Sequence, residues 1–127
     1  MSARTPKLDD VQAWLDGYVE AWRANDPALI GALFSEDIVY YADPFGDPLR
    51  GRQAVVDAWL AEEMPTSFRT EYRPELVDGT RVFASGQTEY FNKDGSRHSF
   101  WANAFLLSFD DAGRCREYRE WYMKKRA

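Results

Sequence analysis

His98 and Cys115 are the only histidine and the only cysteine in this chain of 127 residues. That count excludes an intramolecular disulfide and a zinc site made of Cys and His alone. It also excludes a Ser–His or Cys–His nucleophile unless His98 itself serves. Cys115 begins a strand and has no basic partner in a catalytic arrangement, so it reads as a structural thiol. No group of acids is spaced like a ligand set, so no metal and no cofactor is expected. What remains is acid–base chemistry by carboxylates, with amides and phenols as donors. Aromatic residues make up 16% of the chain, with five Trp and seven Tyr. Such a load in a small chain implies flat surfaces facing one another, a cavity, or a subunit interface.

The elements that must position these groups can be read from spacing. Leu8, Val11, Leu15, Tyr18 and Trp22 form one stripe of an amphipathic helix. Asn25-Asp26-Pro27 ends it and starts a second helix carrying Leu29, Ile30, Leu33 and Phe34. Ile38 to Tyr41 is a β-branched and aromatic strand, and Asp43 to Pro48 is a loop. A third helix follows Gly51 and ends at Met64-Pro65. The second half alternates: Phe68 to Tyr72, Arg81 to Phe91, Ser96 to Phe109 and Cys115 to Met123 read as a four-strand meander. Helices segregated from an antiparallel sheet imply an α+β chain, with helices covering one face of a curved sheet to make a cone.

Asn92-Lys93-Asp94-Gly95 suits a type I turn with a glycine bulge, which pairs Asn92 with Ser96. Continued, that register opposes Gln87 to Trp101 and Phe83 to Phe105. Phe83, Gln87, Glu89, Trp101, Asn103 and Phe105 then share the cone face. His98 falls on the opposite face, with Ala84, Gly86, Thr88, Phe100, Ala102, Ala104 and Leu106. A one-residue slip would exchange the two sets.

Apolar residues are 45% and charged residues 29%, with a net charge of −5, a mix suited to one globular domain over 1–127 with an ordered core of about 8–123. The only basic run is Lys124-Lys125-Arg126, so no nucleic-acid partner is expected. No apolar stretch approaches a membrane span, and residues 1–7 lack the apolar core of a signal peptide. The expectation is a cytoplasmic protein.

Three segments resemble the SnoaL-like domains of the nuclear transport factor 2-like superfamily, which also contains the ketosteroid isomerases. They are Tyr18 to Phe34, Val39 to Arg52 with its Asp43-Pro44 loop and Gly51-Arg52 helix start, and Gly113 to Tyr122. The resemblance implies a cone-shaped, cystatin-like α+β barrel, with three N-terminal helices on a strongly curved, mainly antiparallel sheet. It sets Asp43 at the general base of the isomerases and Tyr18 at their oxyanion-binding tyrosine. Phe105 stands where they carry a protonated aspartic acid, and Asn103 could supply a neutral donor instead. Glu120 falls where limonene epoxide hydrolases have an acid, but Gln87 and Ser85 stand in place of their second acid and arginine. The resemblance also turns Tyr118, Glu120 and Tyr122 into the cavity and implies a homodimer through the convex sheet face.

Gln87, Glu89, Asn103 and Glu120 thus bring two acids and two amides into an aromatic cone, walled by Trp14, Trp59 and Trp101. Two function classes stay open. One is an isomerase, cyclase or dehydratase acting on a small apolar carbonyl compound. Asp43 would then be the base, Tyr18 and Asn103 the oxyanion donors, and Glu120 a second proton carrier. The other is a non-catalytic ligand-binding or dimerisation domain.

Overall fold

A computed structural model describes residues 6–63, 65 and 67–126; Met64, part of the expected end of the third helix, lies outside them. The chain runs α1 (Leu8–Ala24), α2 (Pro27–Ala32), β1 (Phe34–Tyr41), β2 (Leu49–Arg50), α3 (Arg52–Ala61), β3 (Ser67–Asp78), β4 (Arg81–Phe91), β5 (Arg97–Phe109) and β6 (Cys115–Lys124). This is the expected α+β architecture.

Local chemistry explains the helix ends. The Lys7 N–H donates to Asp10 Oδ2 at 3.0 Å, which closes the first turn of α1. At the other end Asn25 takes a left-handed conformation (φ 52°) and donates its N–H to the Ala21 carbonyl. The Asp26 side chain then accepts from the Ala28 N–H at 2.8 Å and caps α2, with Pro27 in the first turn.

The sheet order is β2-β1-β6-β5-β4-β3. All pairs are antiparallel except β1 with β6, which is parallel. Pro74 lies in β3, an edge strand, where a missing N–H is tolerated. Helix α1 packs on β3, and α2 and α3 pack on β1. The core between them includes Leu15, Ile30, Phe34, Ile38, Val55, Phe105, Leu107 and Tyr118.

Two departures from expectation come from long-range pairing. Phe34 opens β1 instead of closing α2. The Leu33 carbonyl accepts from the Cys115 N–H at 2.9 Å, and Phe34 pairs with Cys115. A parallel partner some eighty residues away overrides the helical periodicity.

The second departure is on β4. The turn behaves as read: the Asn92 N–H donates to the Ser96 carbonyl, and Gly95 has φ 87°. Phe91 then pairs with Arg97, but Tyr90 pairs with Ser99, leaving His98 as the extra residue of a β-bulge. From there Thr88 opposes Trp101, Gly86 opposes Asn103 and Ala84 opposes Phe105. Trp101, Asn103 and Phe105 keep the cone face, whereas Phe83, Gln87 and Glu89 turn to the outside.

Candidate functional site

A cavity of about 710 Å³ lies between the helices and the concave side of the sheet. Every element except α2 contributes a wall residue: Tyr18 and Trp22 from α1, Tyr40 from β1, Leu49 from β2, Trp59 from α3, and Tyr72 from β3. Thr88 and Tyr90 come from β4, Trp101 and Asn103 from β5, and Glu120 and Tyr122 from β6. Glu62 and Glu63, just past α3, also line it. The rings pack closely: Tyr18 meets Trp59 edge to face at 5.1 Å, and Tyr40 stacks on Tyr118 at 4.3 Å.

Glu120 is the centre of a buried hydrogen-bonded chain. Its Oε1 accepts from the Tyr118 hydroxyl at 2.6 Å, and its Oε2 accepts from Asn103 Nδ2 at 3.0 Å. A phenol has one hydrogen, and Tyr118 gives it to Glu120. Tyr18 must therefore be the donor in its 3.0 Å contact with Tyr118. On the other arm Thr88 donates to Asn103 Oδ1 at 2.8 Å, so Tyr72 must donate to Thr88. Both arms run toward one carboxylate.

The electrostatics follow from that arrangement. Burial raises the Glu120 pKa above its ordinary 4.5, the hydrogen bonds from Tyr118 and Asn103 oppose the rise, and the charge of Glu62 adds to it. Glu120 keeps some accessible surface because it faces the cavity. Burial, and then the charge of Glu120, push the Tyr18 and Tyr118 phenols far above their usual range. Tyr90 is pushed up to about 12, mainly by burial. The phenols therefore stay protonated donors, while Glu120 is the group able to exchange a proton. One Asn103 amide hydrogen is used on Glu120, and Asn103 itself lines the cavity.

The structure brings Tyr18, Asn103 and Glu120 together and separates Asp43 from them. Asp43 Oδ1 accepts from the backbone N–H groups of Phe45 and Gly46, at 2.7 and 3.0 Å. It closes its own loop and does not line the cavity, although the neighbouring Ala42 does. Trp59, Trp101 and Tyr122 line the cavity as expected. Trp14 does not: its indole N–H donates to the Leu33 carbonyl at 2.9 Å, and its ring packs on Phe34 and Phe109 in the core. Phe105 and Tyr118 are fully buried beneath the lining rings.

Phe83, Gln87 and Glu89 are corrected by the bulge. Glu89 forms ion pairs with Arg69 and Arg97 on the outer face, and Phe83 and Gln87 are exposed. The residues facing the cavity in their place are Thr88 and Tyr90. His98 also lines the cavity, contrary to its expected place on the opposite face. Tyr40 and Tyr72, read from the sequence only as strand residues, also line the cavity.

No lysine or arginine is among the lining residues, and no described group of His, Cys, Asp and Glu could hold a metal ion. No helix among the described residues is long and apolar enough to cross a membrane.

A family model described as a SnoaL-like domain matches residues 15–118. A solved structure described as an M. tuberculosis LEH-like epoxide hydrolase is similar, with a TM-score of 0.70 and 17% sequence identity. The match covers 93% of this chain and 86% of that one. At that identity the likeness is one of fold. No curated protein sequence matches significantly.

Proposed function

On the premise that the chain belongs to the SnoaL-like domain family, we propose that its cone binds a small, flat, largely apolar carbonyl compound and moves a proton on it, with Glu120 as the base. One observation carries this reading: both arms of the polar chain point their hydrogens at Glu120. A carboxylate so held is oriented and ready to accept, and burial strengthens it as a base. In this reading Glu120 removes a proton next to the carbonyl. The second Asn103 amide hydrogen then meets the developing oxyanion. Isomerisation, cyclisation and dehydration all share that first step. Asp43 is left with its loop.

Epoxide opening by two acids flanking an arginine is not proposed. Thr88, Tyr90 and Phe91 are the β4 residues that line the cavity, and none is an acid or an arginine.

Binding without turnover is the second reading. It is favoured by the completeness of the network, since no described buried side-chain polar atom lacks a partner. Thermal-shift screening of flat aromatic and polyketide-like carbonyl compounds begins the test. A hit at a hundred times its dissociation constant should stabilise the fold by about 2.7 kcal/mol. Conversion of the hit that persists unchanged in Glu120→Gln would remove Glu120 as the base. A hit that binds and is never converted supports the second reading.

The same proposal includes a cytoplasmic homodimer packed through the convex face of the sheet. There Phe100, Ala102, Ala104 and Leu106 of β5 adjoin Trp121 and Met123 of β6, the last two 41% and 74% exposed. An apolar surface of this kind normally meets a partner. Phe83 joins it from β4, in place of the Ala84 expected from the turn register.

A further inference from the structure

We propose that the compound this cavity takes is an organic cation, a flat body carrying a basic nitrogen, and that carboxylates and phosphates are excluded. The inference rests on the pocket reading above and names its ligand class. The acidic side chains that line the cavity are Glu62, Glu63 and Glu120, and no lysine or arginine lines it. An anionic ligand would meet three carboxylates and no countercharge beyond the imidazole of His98.

Glu120 is held by neutral donors only. Besides burial, the groups that act on it are the Tyr118 hydroxyl, the Asn103 amide and the carboxylate of Glu62, and none is a cation. A carboxylate shielded from bulk water without a countercharge is costly to keep ionised. A neutral ligand leaves that cost in place, whereas a cation removes it. The walls are suited to the same charge. Indole and phenol faces attract cations, and Trp22, Trp59, Tyr90 and Trp101 all line the cavity.

The charge also serves the proposed chemistry. Burial and Glu62 both favour protonated Glu120. A positive nitrogen between the Glu62–Glu63 edge and Glu120 acts against both, so the loaded pocket keeps its base ionised.

The experiment uses three matched probes on the full chain at neutral pH: 1-naphthylmethylamine, 1-naphthylmethanol and 1-naphthoic acid, each titrated by calorimetry. The amine should bind about tenfold or more tighter than the alcohol, and the acid should give no measurable heat. The double variant E62Q/E63Q should weaken amine binding about threefold or more and leave the alcohol unchanged. If the alcohol matches the amine, or the acid binds comparably, the charge assignment is overturned while the pocket reading survives. If none of the three binds, both fall together.

Discussion

At Glu120, burial favours the neutral acid while two directed hydrogen bonds favour the anion, and burial is the larger effect. The consequence for stability has a definite sign. A carboxylate whose folded pKa lies above its unfolded value of 4.5 contributes stability that is fully present below that pH. The contribution is lost as pH rises through the folded value, because the folded state must then ionise a shielded group. Glu120→Gln should therefore equal or exceed the parent in urea midpoint at pH 8 and compare less favourably at pH 5. Equal losses at both pH values would contradict the raised pKa. Tyr118→Phe tests the arm beside it. It removes the donor to Oε1 and the acceptor of Tyr18, at about 1–3 kcal/mol. If Glu120 is the base, the same variant should move the acidic limb of the pH–rate profile upward, because a bond that favours the anion is gone.

Among the elements, β3 and β4 approach each other closely where Tyr72 pairs with Gly86. A Cβ on Gly86 would lie 2.0 Å from the Glu71 carbonyl oxygen and 2.7 Å from Tyr72 Cα and from the Tyr72 ring. Tyr72 fills the space a side chain would take and thereby reaches Thr88. Gly86→Ala should cost about 1–3 kcal/mol or more in denaturant unfolding, because backbone rather than a flexible tip must give way. It should also disturb the Tyr72 end of the polar chain. A variant as stable as the parent would mean that β3 and β4 approach less closely than described.

For the molecule as a whole, the proposed dimer rests on the convex face. Trp121 and Met123 stand on it beside Ala104 and Ala102 of β5. Sedimentation at micromolar concentration should show a dimer, and Trp121→Glu should shift it to monomer while ligand-induced melting shifts persist. A parent chain that sediments as a monomer would count against the sheet-to-sheet dimer. The cone is formed within one chain, so its pocket does not depend on that outcome.

The sequence by itself determined what neighbouring residues decide. Asn25-Asp26-Pro27 and Asn92 to Gly95 carry their own capping and turn chemistry, so they fold as read. The parity of β5 also held, and with it the placement of Trp101 and Asn103. Tertiary structure decided the rest. Phe34 joined a strand because Cys115 offered a parallel edge. His98 became a bulge because β4 must shift one residue as it follows β5, and no turn residue encodes that shift. One extra residue moved Gln87 and Glu89 outside and put Thr88 and Tyr90 inside, because side chains in a strand alternate with a period of two. Asp43 was legible as a residue type, but whether its carboxylate served a loop or a pocket depended on which N–H groups the folded backbone brought to it.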